Sequence, residues 1–278
     1  MSGFYKIPQN GLPCSIQFSG GRTSGYMLKK ILEENNGLPN NTYVLFQNTG
    51  REMPETLDFV RDVGERFGVE ITWLEYRDAP PFFEIVGHNS ASRNGEPFEA
   101  IIRKRKYVPN VVTRYCSDVL KYRTAKRYLV SLGHKKWTSA IGFRADEKHR
   151  VDKIKSRKHS REFIWTPLAD AGVSKHDVKA FWDNAGFDLK LENIKGNTPL
   201  GNCDGCFLKS EKNLMNLCRH YPEKAEWWNE MEKITGATFN KSWPWEELIK
   251  TVERQSDMDF EVHEKYACDS IHGTCETD

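Results

Sequence analysis

The sequence predicts an α/β protein: a parallel sheet with helices on both faces, joined to a smaller helical region that carries cysteines. Three observations predict it. An apolar segment ends at Ser19-Gly20-Gly21-Arg22-Thr23-Ser24 and an amphipathic stretch follows, which reads as a strand, a glycine turn and a helix start. Strand-length apolar runs then alternate with helical stretches, the pattern that right-handed crossovers turn into a parallel sheet. Beyond residue 200 the strand pattern gives way to a CxxC pair and an aromatic-rich helical sequence. The expected division is a nucleotide-binding α/β domain over 1–200 and a cysteine-bearing helical region over 201–278.

After the glycine turn, residues 25–34 read as a helix closed by Asn35-Asn36-Gly37, and 42–47 (TYVLFQ) as a buried strand. Residues 53–67 read as a helix with Pro54 near its start and Gly68 past its end, and 69–75 as a third strand. Residues 77–112 carry prolines at 80, 81, 97 and 109 and read as an irregular stretch, a substrate-facing insertion or a short helical excursion, with a mobile loop equally consistent. Residues 117–132 make a good helix, and 137–143 a strand ending in Gly142-Phe143-Arg144. Residues 148–162 are too charged for core, 164–168 run into a turn, and Ser174 caps a helix that runs through Trp182. From Asn184 the chain breaks into loops, then resumes as helix near Lys209.

In a parallel sheet, ligands collect at the carboxyl ends of the strands. The glycine turn, Asn48-Thr49-Gly50-Arg51 and Gly142-Phe143-Arg144 all fall there, so they can converge on one ligand. Two glycines permit positive φ and close backbone approach, and the amides of a helix start favour an anion. The spacing fits neither GxGxxG nor GxxxxGK[ST]. Taken alone, a plain strand-to-helix connection would look the same.

The 278 residues suffice for one large core or two modest ones, and 41 Lys+Arg against 39 Asp+Glu leave little net charge. The charge is uneven: 101–106, 114–127 and 148–161 are basic, and the tail beyond Asp257 is acidic. The basic middle suits an anion, a nucleotide or a nucleic-acid backbone, or is a solvated surface. No apolar run nears the ~18 residues of a membrane span, and the N-terminus has no apolar core of a secretion signal. A soluble, cytoplasmic protein without membrane partners is expected.

Seven unevenly spaced cysteines do not resemble the framework of a small secreted domain. Cys14 and Cys218 sit in apolar patterns and read as small core residues. Cys203-Asp204-Gly205-Cys206 allows two thiolates to reach one metal or cluster, and Cys116 starts a helix beside Arg114, where its thiolate would be favoured. Cys268 or Cys275 in the tail would supply a fourth ligand. Zinc and an iron–sulfur cluster fit this set equally, and a redox pair or inert thiols are the remaining readings. The scattered histidines at 149, 159, 176 and 220 read as surface residues.

FSGGRTS at 18–24 and NTGREMPETLDFV at 48–60, followed by YCSDVLKYRTAKRYL at 115–129, IGFRADEKHR at 141–150 and WTPLADAGVSKHDVKAFW at 165–182, resemble the phosphoadenosine phosphosulfate (PAPS) reductase family of the adenine nucleotide alpha-hydrolase, or PP-loop, superfamily. The resemblance spans about residues 14–210. It implies a Rossmann-like sheet and an enzyme acting at the α-phosphate of ATP or on PAPS, with magnesium as a further candidate ion. By it, Ser19, Gly20, Gly21, Arg22, Thr23 and Ser24 with Asn48, Thr49, Gly50, Arg51 and Gly142 would bind the nucleotide, and Arg144 and Lys121 would serve catalysis. A bidentate guanidinium suits phosphate or sulfate, which is an independent reason to favour Arg51 and Arg144.

Two departures from that pattern matter. Thr23 stands where ATP-cleaving relatives usually have Asp, and the ECG[IL]H-like motif of the reductases has only a faint echo in Ile271-His272-Gly273 beside Cys275. A single Cys116 followed by GNCDGCFLKS looks more like the iron–sulfur sulfurtransferases of the family, which implies a 4Fe-4S cluster on Cys116, Cys203, Cys206 and Cys268 or Cys275. ATP-dependent sulfur transfer, with a nucleic-acid acceptor and a sulfur donor or reductant protein as partners, is therefore expected ahead of PAPS or adenylyl-sulfate reduction. A zinc-stabilised nucleic-acid-binding protein without catalysis is the reading from another class.

Overall fold

The computed structural model describes residues 3–157, 159–194 and 197–255. Six strands form one sheet in the order β4-β3-β2-β1-β5-β6. β1 (Cys14–Gln17), β2 (Thr42–Asn48), β3 (Ile71–Tyr76), β5 (Trp137–Ala140) and β6 (Glu162–Trp165) run parallel, and β4 (Phe83–Val86) folds back antiparallel on β3. Cys14 pairs with Thr42 and Thr138, and Gln17 with Leu45, so β1 lies at the centre with the carboxyl ends of β2 and β5 on either side.

Side-chain alternation divides the strands between two layers. Ile16, Val44 and Phe46 pack with Met27, Leu28 and Ile31 of α1 (Arg22–Asn35), Leu57, Val60 and Val63 of α2 (Pro54–Phe67), and Trp182 of α7 (Lys175–Asp183). On the opposite face Leu45, Leu74 and Trp137 meet Ala125 and Leu129 of α4 (Thr124–Ser131). The helices therefore cover both faces, as the β-α-β pattern requires. α7 begins as read: Ser174 Oγ accepts from the Asp177 amide, and the Asp177 carboxylate accepts from the Ser174 amide.

A second core draws on both sides of residue 200. Phe98 and Ile102 of α3 (Glu96–Arg105), with Val119 and Leu120, pack against Phe207, Leu214, Trp228, Phe239 and Trp245. The last four come from α8 (Glu211–His220), α9 (Pro222–Thr235), the following loop and α10 (Trp245–Arg254). Cys14 and Cys218 are buried in the first and second cores, as their apolar patterns predict.

Three local readings are corrected. The proline-bearing stretch 77–112 is not an irregular loop: besides the helical excursion among its readings, realised as α3 on the apolar stripe of Phe98, Ile101 and Ile102, it contains a strand, β4. The charged stretch 148–162 contains α5 (Lys148–Ser156), which buries Val151 and Ile154, and it ends at the first residue of β6. The helix expected over 117–132 is π-wound from Ser117 to Arg123 before becoming α4.

Candidate functional site

The loop after β1 is shaped by sterics. Gly20 has φ +78°, and a Cβ on it would stand 2.9 Å from Thr56 Cγ2 and 3.1 Å from both Phe46 Cε2 and Val60 Cγ2. Only glycine lets the chain turn this closely over β2 and α2. The Ser19 amide donates to Ser24 Oγ (3.2 Å) and Ser24 Oγ donates to the Gly21 carbonyl (3.0 Å), bracing the turn from inside. The first intrahelical bond runs from the Gly25 amide to the Gly21 carbonyl (3.0 Å), so the amides of Arg22, Thr23 and Ser24 have no acceptor within the helix. That end of α1 favours a phosphate.

The β5 end closes on the same loop. Arg144 Nη1 donates to Thr23 Oγ1 (3.1 Å), while Nε holds Asp146 (2.9 Å). A Cβ on Gly142 would lie 3.5 Å from Ser24 Cα, so the strand end and the helix start run nearly in contact. Arg144 thus stands where the sequence put it, at the rim of the glycine turn.

Two other arginines do not. Arg22 turns its side chain inward: Nε and Nη2 grip Asp188 at 2.7 and 2.8 Å, Nη1 donates to Thr198 Oγ1 (2.8 Å), and Nη2 reaches the Leu189 carbonyl. Its guanidinium ties the start of α1 to Asp188, Leu189 and Thr198 and leaves only its amide for an anion. Arg51 is buried, with Nη2 on Asp204 Oδ2 (2.9 Å) and its guanidinium carbon 4.5 Å from the Trp227 ring centroid. Of the β2-end residues, Asn48 is taken by Glu75 (2.6 Å) and the Ser92 carbonyl (2.8 Å), and Gly50 packs on the Gly95 backbone.

Thr49 leads from this edge to the cysteines. Its amide and hydroxyl donate to Glu52 Oε2 (2.9 and 2.8 Å), and its Oγ1 lies 3.4 Å from Cys203 Sγ. Cys116, Cys203 and Cys206 line one pocket with Thr49, Lys121 and Trp228. The π-winding explains how the helix contributes twice, since an i→i+5 repeat brings Cys116 and Lys121 onto one face. Because β1 and β2 are parallel neighbours, the glycine turn after β1 and Thr49 after β2, which lines the thiol pocket, lie at the same edge of the sheet.

The electrostatics differ from the sequence reading. Burial pushes the Cys116 thiol up to about 12, with Cys206 adding to the rise, rather than down as a helix start beside Arg114 would predict. Burial, then the Glu52 carboxylate, also raise Cys203. Lys121 is buried 3.8 Å from Glu52; burial opposes its charge, but negative charge on Cys203, on Glu52 and on the other two sulfurs outweighs that and raises it. A buried ammonium facing three thiols is a ready counter-charge for thiolates. Among the described residues no three His, Cys, Asp or Glu side chains gather round one point as a single metal ion requires; the three thiols instead share a pocket wall. Cys268 and Cys275 lie outside the described residues.

Sequence reasoning missed Glu52 and Asp204. Glu52 was hidden in the NTGRE stretch as an ordinary charged residue, and Asp204 as filler between two cysteines. The signal for Asp204 was the CDGC spacing itself, which leaves a buried loop two residues to find partners. A second polar cavity, lined by Gln47, Lys121, Tyr122, Ser139 and Glu162, lies on the α4 side of the sheet and shares Lys121 with the thiol pocket.

The model of the phosphoadenosine phosphosulfate reductase domain matches residues 13–186. An uncharacterized nin region protein, ORF290 of Escherichia phage lambda, is 29% identical over 231 residues, covering 80% of this chain and 74% of its own. Among solved structures, the U34-tRNA thiolase NcsA from Methanococcus maripaludis with its 4Fe-4S cluster aligns over 88% of this chain and 73% of its own, at 14% identity and a TM-score of 0.43. Among the described residues no helix is long and apolar enough to cross a membrane.

Proposed function

We propose that this chain, which belongs to the phosphoadenosine phosphosulfate reductase domain family, activates an acceptor with ATP and replaces the activated oxygen by sulfur. The observation that carries the reading is the shared edge. The glycine turn and a pocket walled by Cys116, Cys203 and Cys206 open from adjacent strand ends, with Thr49 Oγ1 3.4 Å from Cys203 Sγ.

The amides of Arg22, Thr23 and Ser24 would hold the phosphates, and Arg144, fixed against Thr23, would neutralise charge that develops on the α-phosphate. An acceptor oxygen attacks the α-phosphorus, a P–O bond forms, and pyrophosphate leaves. A sulfur nucleophile then attacks the acceptor carbon, forming C–S while the C–O bond breaks and AMP departs. Adenylylation matters because it turns a poor leaving group into a good one. Magnesium would accompany the triphosphate.

The three thiols fit a sulfur-bound iron cluster: they share one wall, Lys121 balances their charge, and Phe98, Phe207 and Trp228 exclude water. When bound, such a cluster supplies iron at which sulfur is held for transfer. Arg103 and Lys104 on α3 and Arg123 on the π-wound segment are exposed, each paired to a carboxylate, on the two elements that also line this pocket through Phe98, Ser117 and Leu120, and such basic surface supports a nucleic acid as acceptor.

The test is anaerobic purification with iron and acid-labile sulfide analysis, followed by incubation with ATP, sulfide and bulk tRNA or DNA. Brown protein, pyrophosphate release that requires nucleic acid, and thionucleosides found by mass spectrometry are expected. Sulfite release from PAPS, with PAPS rather than ATP raising the melting temperature, would replace this reading by the reductase one. A colourless zinc protein with no turnover of either nucleotide would remove both.

A further inference from the structure

Asp204 is completely buried in the middle of the CxxC, and both of its carboxylate oxygens have partners. Its Oδ2 accepts from Arg51 Nη2 (2.9 Å) and lies 3.4 Å from Lys224 Nζ. Its Oδ1 accepts from Trp228 Nε1 (2.8 Å) and from the Gly205 amide (2.7 Å). The main chain is tied at the same place, since the Asp204 amide donates to the Arg51 carbonyl (2.8 Å) and Glu52 bridges Cys203. Gly205 can carry no side chain, because a Cβ there would collide with the Trp228 indole. Trp228 is itself fixed, stacked on Trp245 at 5.9 Å and edge-on to Phe98 and Phe239.

We propose that Asp204 is a positioning residue: with Arg51 and Trp228 it forms a clasp that holds the Cys203 and Cys206 thiols in place before any cluster arrives. The buried Arg51 guanidinium, the half-buried Lys224 ammonium and the Trp228 indole N–H all converge on the one Asp204 carboxylate, which ties the three elements together. Both cysteines of the CxxC inherit its rigidity. Cys203 is fixed directly by the Glu52 bridge, and Cys206 through the one-residue spacer Gly205. The same contacts explain why the arginine of the NTGR stretch is turned away from the nucleotide loop. It links the β2 end to the cysteine loop, so a shift at either is felt at the other.

The assignment rests on the reading of these cysteines as cluster ligands, and its test separates the two. Trp228→Phe removes the indole donor and keeps a ring, and Asp204→Asn removes the charge. In the full-length, iron-free chain under native conditions, the alkylation rates of Cys203, Cys206, Cys14 and Cys218 by iodoacetamide are read by peptide mass spectrometry. In the cluster-loaded protein, the half-time of iron loss to a chelator is read by absorbance. The clasp predicts that Cys203 and Cys206 react roughly tenfold faster or more in both variants while Cys14 and Cys218 keep their wild-type rates, and that iron is lost correspondingly faster.

Equal acceleration of all four cysteines would make Asp204 a residue of general stability and overturn the clasp, as would unchanged rates in Trp228→Phe. Should Asp204→Asn fail to fold, Trp228→Phe carries the test alone. If the wild type takes up no iron, the sulfur-transfer reading falls, and the alkylation arm still decides the clasp.

Discussion

The two glycines of the turn make opposite predictions. At Gly20, alanine must adopt φ +78° and place its Cβ 2.9 Å from Thr56 Cγ2 and 3.1 Å from Phe46 and Val60. The left-handed conformation costs about 1–2 kcal/mol, and crowding among fully buried neighbours adds about 1–3 kcal/mol, because Phe46 and Val60 have no room to retreat. Gly20→Ala should therefore lose about 2–5 kcal/mol, at roughly 2–4 °C of melting temperature per kcal/mol. Gly21 has φ −107°, and its Cβ would meet nothing nearer than Ser19 Oγ at 3.7 Å. Gly21→Ala should change stability by less than about 0.5 kcal/mol, yet put a methyl group on the open side of the anion loop and weaken nucleotide binding. Urea melts of both variants and isothermal titration with ATP separate the effects. A Gly20→Ala protein as stable as wild type, or a Gly21→Ala protein less stable than it, would refute the steric account of the turn.

Two further substitutions test the same frame. Arg22→Ala removes a nearly buried guanidinium that joins α1 to Asp188, Thr198 and Leu189, and should cost about 2–4 kcal/mol in urea unfolding, whereas a phosphate-binding arginine would show its loss in ATP affinity with little change in stability. Burial raises Glu162 from its ordinary 4.5, outweighing the Trp137 and Ser139 hydrogen bonds that favour its charge, so the native state holds its proton where the unfolded chain has released it. That stabilisation is full below about 4.5 and is lost as pH rises through the raised value, while glutamine has nothing to titrate. The melting temperature of Glu162→Gln relative to wild type should therefore climb as pH rises above 4.5 toward neutrality, and calorimetry that finds a constant or falling difference would reject this.

Most of the sheet was legible because its signals are local. Glycine turns, apolar runs of strand length and the Ser174 cap each act within a few residues, and β1, β2, α2 and α7 appear within a few residues of their expected limits. β4 was not legible, and α3 only as one of several readings of its stretch, because β4 owes its place to pairing with β3 and α3 to packing under Trp228, contacts that no local window contains. The π-winding of 117–123 was equally hidden: its sequence suits an ordinary helix, and only the pocket it faces distinguishes the two.

The arginines show where residue chemistry stops predicting position. Arg22, Arg51 and Arg144 all sit at strand ends beside an anion loop, and each has the bidentate head that phosphate favours. What separates them is the alternative on offer. Arg22 finds Asp188 and carbonyl groups within the fold, and Arg51 finds Asp204 between two indoles; both exchanges shed water and satisfy several donors at once. Arg144 meets Thr23 and the Asp146 and Glu147 carboxylates at the rim, with its side chain 15% exposed, so a phosphate arriving at the loop can compete for it. An arginine near a glycine turn thus binds the ligand only when the fold leaves it no better buried partner, and that depends on Asp188 and Asp204, more than 150 residues away in the chain.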